Sequence, residues 1–137
     1  LTVYDTRMNY EERGKWYSWT MSGELLAWAT HWDGVNTLTP VPGDFDGDQL
    51  YDLSEYSIYS TIWYLFRLNN TYITLKEWGV NDLLPVPGDY NGDMVSDMAM
   101  FDEATACWSI WSISRGLILD GFAWGWPGCR VVGACEQ

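Results

Sequence analysis

The sequence predicts an all-β protein built of three four-stranded propeller-type blades, a partial or oligomer-completed β-propeller. Three observations carry that expectation. Aromatic residues recur at a fixed period, and an acidic loop occurs twice, 45 positions apart. Between them lie short segments rich in β-formers and bounded by turn residues.

The period divides the chain. Trp32, Trp78 and Trp124 are spaced by 46 and 46, and Trp16, Trp63 and Trp108 by 47 and 45. Three residues after each of the latter stand Trp19, Phe66 and Trp111. Leu1-Thr2-Val3-Tyr4 aligns with Leu53-Ser54-Glu55-Tyr56 and with Met98-Ala99-Met100-Phe101, the first connection (Asp5 to Lys15) being longer. One domain over residues 1–137 thus holds three units of about 46 residues, approximately 1–44, 45–89 and 90–137. The Trp residues that keep this register are expected in the core.

Each unit reads as short strands. In the middle copy these are Tyr51–Ser57, Thr61–Leu68, Thr71–Trp78 and Leu83–Val86, with Asn69-Asn70 and Gly79-Val80-Asn81-Asp82 as turns. No long window carries a capped 3.6-residue period. Four short strands per repeat of this length match the arithmetic of a propeller blade.

The acidic loops carry the chemistry. The first runs Pro40-Val41-Pro42-Gly43-Asp44-Phe45-Asp46-Gly47-Asp48-Gln49-Leu50-Tyr51-Asp52. The second runs Pro85-Val86-Pro87-Gly88-Asp89-Tyr90-Asn91-Gly92-Asp93-Met94-Val95-Ser96-Asp97. Oxygen-bearing side chains fall at loop positions 1, 3, 5 and 9 of each. A hard cation taking six to eight oxygens at roughly 2.3–2.6 Å suits that spacing. Plain solvated Asp-Gly turns are the competing reading. They leave clustered carboxylates repelling one another, twice over. An EF-hand puts Glu55 at position 12, but it lacks glycine at position 6, has Met100 at position 12 of the second loop, and enters through Pro-x-Pro-Gly rather than a helix.

Composition agrees. The net charge of -12, from 19 acidic and 7 basic residues, excludes phosphate-backbone binding. The loops hold seven of those carboxylates, so two divalent cations bring the charge to about -8. Ten Trp supply the apolar payload of a folded chain, and no run is long enough to span a membrane as a helix. The start at Leu1 without a signal-like segment is expected of a processed product or fragment. Of Cys107, Cys129 and Cys135, a 129–135 bridge closes a short loop, and Cys107 can compete for either partner. Calcium at millimolar levels and possible disulfides point outside the cytosol. Asn69-Asn70-Thr71 is a glycosylation sequon, a triplet common by chance.

The pattern Pro-Val-Pro-Gly-Asp-aromatic-Asp/Asn-Gly-Asp-x-x-x-Asp, followed by a strand and a Trp-containing strand, resembles the FG-GAP/VCBS repeats. These form propellers in integrin α-chains, some fungal lectins and many secreted or surface proteins of microbes. The resemblance implies two Ca2+ sites: Asp44, Asp46, Asp48, the Leu50 carbonyl and Asp52, then Asp89, Asn91, Asp93, the Val95 carbonyl and Asp97. Two departures stand out. The family's glycine after the third acidic ligand is replaced by Gln49 and Met94, which are strained there if φ is positive. Arg130-Val131-Val132-Gly133-Ala134 stands where a third loop belongs.

Three blades are too few for a closed ring, so self-association through the terminal blades, as a homo-oligomer or filament, is expected. The function expected is a non-enzymatic, calcium-binding extracellular or cell-surface module for structure, self-assembly or adhesion. The alternative is a propeller-type lectin, with Trp19, Trp28 or Trp126 as platforms for a glycan ring. Catalysis has little support. His31 is the only histidine, there is no Ser/His/Asp or Cys/His set, and Glu11-Glu12 with Glu24 form no pair the sequence can place.

Overall fold

The computed structural model describes residues 2–5, 15–30, 38–68 and 71–131. They are all-β, with no helix among them. Eleven strands form three antiparallel sheets. The first is β1 (Thr2–Asp5), β2 (Lys15–Trp19) and β3 (Leu25–Thr30). The second is β4 (Leu38–Pro40), β5 (Glu55–Ser57), β6 (Ile62–Phe66) and β7 (Tyr72–Glu77). The third is β8 (Leu84–Pro85), β9 (Met98–Asp102), β10 (Cys107–Ser112) and β11 (Gly116–Ala123). Each sheet runs in chain order, and no barrel closes among the described residues.

Strand register repeats with the sequence period. Tyr4 lies opposite Trp16, Tyr56 opposite Trp63, and Phe101 opposite Trp108. On the far side of each Trp stand Thr30, Lys76 and Phe122, spaced by 46 and 46. The backbone repeats even where side chains differ. Positive φ recurs at Gly47 and Gly92, Gln49 and Met94, Thr61 and Ala106, and Gly79 and Gly125.

One boundary differs from the sequence reading. The strand expected at Leu83–Val86 closes no sheet with the middle unit; as β8 it pairs with β9. Each acidic loop is therefore a hairpin connection inside one sheet, β4 to β5 and β8 to β9, tied at its neck by Gly43–Asp52 and Gly88–Asp97 bridges. Proline explains why β4 and β8 end their sheets. Val41 and Val86 donate inward to the Ser54 and Ala99 carbonyls, both at 2.8 Å. Pro40, Pro42, Pro85 and Pro87 flank them without an N–H to offer a further strand.

The second and third sheets pack face to face. Val41, Phe45, Tyr56, Trp63 and Leu65 meet Met98 and Met100, all buried, with Trp78 and Trp111 at the margin. Ring centroids run Tyr56–Trp63 at 5.1 Å, Trp63–Trp78 at 6.4 Å and Trp78–Trp111 at 6.4 Å. Complete burial of such side chains contributes on the order of 2 kcal/mol each, so this seven-residue cluster dominates the core. Trp16 and Leu53 join the first and second sheets, and the Trp16 indole N–H donates to buried Glu55 at 3.0 Å. Glu55, at position 12 counted from Asp44, therefore sits in a sheet interface and accepts from the Trp16 indole.

β9 is buried on both faces because its alternation serves two clusters. Met98 and Met100 face the second sheet, and Phe101 faces Val86, Ala106 and Trp108. Beyond β9 and β10 that outer face opens, with Phe122 and Trp124 exposed. Trp124 is 71 % exposed, against the expectation that it is core, because no sheet among the described residues covers it as the third covers its counterpart Trp78. Trp16, Trp63 and Trp108 are buried or half-buried. Trp32, His31, Glu11, Glu12 and Cys135 lie outside the described residues, as does the stretch 132–137 that takes the place of a third loop.

Candidate metal centres

The two loops share one hydrogen-bond scheme. Asp44 accepts from the Gly47 and Gln49 amides at 2.7 and 2.8 Å; Asp89 accepts from Gly92 and Met94 at 2.6 and 2.9 Å. Asp48 accepts from Leu50 at 2.8 Å, and Asp93 from Val95 at 3.0 Å. Asp52 and Asp97 reach back to the Phe45 and Tyr90 amides at 2.7 and 3.1 Å. The scheme requires a left-handed residue after the third acidic position. Gln49 has φ of 69° and Met94 of 67°, so both occupy the strained conformation the sequence anticipated for a missing glycine.

The structure brings some of the expected ligands together and not others. One carboxylate oxygen each from Asp44, Asp46 and Asp48 lies within 4.8 Å of the others. That separation is about twice a calcium–oxygen bond of roughly 2.4 Å, so these three fit a single cation. Among the described residues no second acidic group converges as closely, and Asp52, Asp89, Asp93 and Asp97 stand outside this one. In the second loop Asn91 directs its amide nitrogen to both oxygens of Asp97, at 3.0 and 3.2 Å, and to Ser112 Oγ at 3.3 Å. Its Oδ1 is buried with no hydrogen-bond partner, a carbonyl oxygen of the kind a hard cation takes.

Electrostatics follow from burial. The Asp52 carboxyl, 1 % exposed, is pushed up to about 7, first by burial and then by the negative charges of Asp46, Asp48 and Asp44, with the Phe45 amide opposing. Asp97 is raised for the same leading reason, partly offset by Ser112 and the Tyr90 amide. Exposed Asp89 is held low, chiefly by the Met94 amide. A cation shared with the other carboxylates favours the ionised form of each.

Three partners escape a motif-level inspection. Arg67 Nε bonds Asp46 Oδ2 at 2.5 Å. Forty-five residues later the same place is held by Ser112, beside Asn91, and Ser114 Oγ donates to Asp93 at 3.1 Å. The signal lies in the repeat itself: where Asp46 becomes Asn91, Arg67 becomes Ser112. Both loops thereby keep a formal charge of about -3, counting four carboxylates with Arg67 against three without.

The carbonyl positions at Leu50 and Val95 lie in the described turns, with Leu50 half-exposed. Trp19 and Trp126 are 39 % and 73 % exposed, and the Trp28 side chain lies outside the described set. Glu24 sits on an exposed turn capped by Thr20. Among the described residues Cys107 and Cys129 form no disulfide. No helix among the described residues is long and apolar enough to cross a membrane. No protein-family model, no curated protein and no solved structure matches the chain.

Proposed function

We propose that the chain is a non-enzymatic, calcium-stabilised repeat module of the cell surface or extracellular space. Its three sheets act as propeller-type blades that self-associate through the terminal ones. The supporting observation is the convergence of Asp44, Asp46 and Asp48 within 4.8 Å, in a loop whose hydrogen bonds recur 45 residues on. Asp44, Asp46, Asp48 and Asp52, with the Leu50 carbonyl, hold the first Ca2+; Asp89, Asn91, Asp93 and Asp97, with the Val95 carbonyl, hold the second. The ion neutralises the clustered charge and locks the hairpin between two strands, a structural role.

The lectin reading has the exposed Trp124 and Trp126 in its favour. Its weakness is the open concavity of about 270 Å³ on the third sheet, lined by Tyr90, Trp108, Ile110, Leu119, Phe122 and Trp124. The Tyr90 hydroxyl already donates to the Val86 carbonyl, and the Trp108 N–H to the Trp124 carbonyl. A sugar hydroxyl finds few polar partners there.

Calorimetric titration with calcium tests the metal sites. Saturable heat with a raised melting temperature is expected, and the Asp46→Ala, Asp93→Ala double variant abolishes both. Unchanged calcium-dependent melting in that variant refutes the assignment of ligands.

A further inference from the structure

We propose that the open aromatic face of the third sheet is the docking surface for the first sheet of a second copy of this chain, in a head-to-tail contact that reproduces the internal packing of second sheet against third. The inference rests on the self-association reading above and names the two faces involved.

The same face exists twice in the chain, once sealed by a neighbouring sheet and once covered only in part. In the second sheet it carries Phe45, Tyr56, Trp63, Leu65 and Trp78, sealed by Met98, Met100 and Trp111. One period later the third sheet carries Tyr90, Phe101, Trp108, Ile110 and Trp124, of which Phe101 and Ile110 are buried, Trp108 is half-buried, and Tyr90 and Trp124 are exposed. The ring arrangement recurs, with Phe101–Trp108 at 4.7 Å against Tyr56–Trp63 at 5.1 Å. Yet Trp124 is 71 % and Phe122 50 % exposed, and the surface is hollowed by the apolar concavity. Cys129 and Val131 cover one end. Contiguous apolar surface of this kind marks an interaction site.

The cover used internally has a counterpart at the other end of the chain. By strand register, Val3 precedes the Tyr4–Trp16 pair as Met100 precedes Phe101–Trp108. Trp19 follows Trp16 by three residues, as Trp111 follows Trp108, and it is 39 % exposed. Internally Trp111 stacks 6.4 Å from Trp78, with Lys76 Nζ 3.9 Å over its ring. In the contact between copies Trp19 takes the place of Trp111, Trp124 that of Trp78 and Phe122 that of Lys76. The surface therefore matches a segment this chain itself supplies. Because the two faces differ, the contact is heterologous: it closes a ring if the rotation permits and otherwise extends a filament. Prolines at β4 and β8 bar strand addition at those two edges.

Sedimentation of the full chain over a concentration series, with and without calcium, is the experiment, using Trp19→Asp and Trp124→Asp. Both positions are exposed, and near-UV circular dichroism checks each fold. The wild type is expected to form species larger than a monomer. Each variant alone is expected to associate about thirtyfold more weakly or worse, as for loss of a central aromatic anchor. Mixing the two restores one good head and one good tail, so a one-to-one heterodimer forms and grows no further. A wild-type monomer at every concentration overturns the proposal, as does association of Trp19→Asp alone or failure of the mixture to pair. Phe122→Ser with Trp19→Ser repeats the mixture if either Asp variant misfolds. A chain that binds calcium by calorimetry yet stays monomeric refutes the docking and leaves the metal reading standing; the reverse result refutes the metal sites alone.

Discussion

The first acidic loop lies beneath the second, and among the described residues no third lies above the second. Ser96 donates its amide to the Asp44 carbonyl at 2.5 Å, and Val95 closes on Gly47. Phe45 is 1 % and Asp44 9 % exposed, whereas Tyr90 is 41 % exposed and Asp89 lies on the surface. Local hydrogen bonds are the same in both loops, so the turn is written in the thirteen-residue segment itself. Burial is written elsewhere, in whether a neighbouring unit follows. The sheets repeat the lesson, since Trp63 is fully buried while Trp108, at the same register, is only half-buried.

The largest effect that tests this contrast is in the core. Trp63→Ala, at dilution where the chain is monomeric, should cost about 3–5 kcal/mol in urea unfolding. Trp108→Ala should cost clearly less, about 2 kcal/mol, because its cavity already opens to solvent. Equal losses would mean that the outer face is sealed in solution and that the two units are not different in kind.

Next comes the pH dependence of the buried carboxyls. Asp52 has an ordinary value of 3.8 and a folded value of about 7, so the folded state binds its proton more tightly. Without metal this group favours folding below its unfolded value, and that contribution is lost as pH rises from about 4 to about 7. Asp97 acts with the same sign. Asp89 and Asp102, both lowered, act oppositely, supporting folding above the unfolded carboxylate value and losing it in more acid solution. Urea midpoints of the chelated chain should fall between pH 5 and pH 8, and calcium should shrink or reverse that fall by stabilising the ionised forms. A midpoint that rises over that range in chelator contradicts the buried, proton-binding role of Asp52.

Arg67 separates the loops by chemistry. Arg67→Ser gives the first loop the residue that stands at Ser112 and releases Asp46 from its guanidinium. Its side chain is 42 % exposed, so losing the screened pair costs at most about 1 kcal/mol without metal. Calcium affinity of the first loop should rise severalfold, because Asp46 no longer shares its oxygen with a fixed cation. A fall in affinity by calorimetry would show instead that Arg67 holds Asp46 in its ligating position.

Much of the architecture was legible because aromatic spacing and strand register obey one period. Tyr4–Trp16, Tyr56–Trp63 and Phe101–Trp108 pair across strands as their positions in the sequence foretell. The partner of β8 was not legible. Its few residues resemble any short strand, and only the hairpin geometry of the loop joins it to β9. The exposure of Trp124 was hidden for a different reason: a repeat pattern predicts a side chain's face, while burial depends on what lies across from it. Within the site, the carboxylate spacing was visible but the Arg67 contact was not, since it spans 21 residues and belongs to no motif.

The smallest effect isolates the turn from its surroundings. Gln49 and Met94 hold positive φ with exposed side chains, and each left-handed non-glycine residue costs roughly 1–2 kcal/mol. Glycine removes that strain but returns part of the gain as chain entropy in the unfolded state. Gln49→Gly and Met94→Gly should therefore each stabilise by about 0.5–1 kcal/mol in chelator, with the amides of the new glycines still donating to Asp44 and Asp89. Urea unfolding of the two single variants compares a covered loop with an open one. Equal gains mean that strain is set by the turn alone. A larger gain at Met94 means that the second loop, pressed against the first through Ser96, already compensates part of the strain at Gln49.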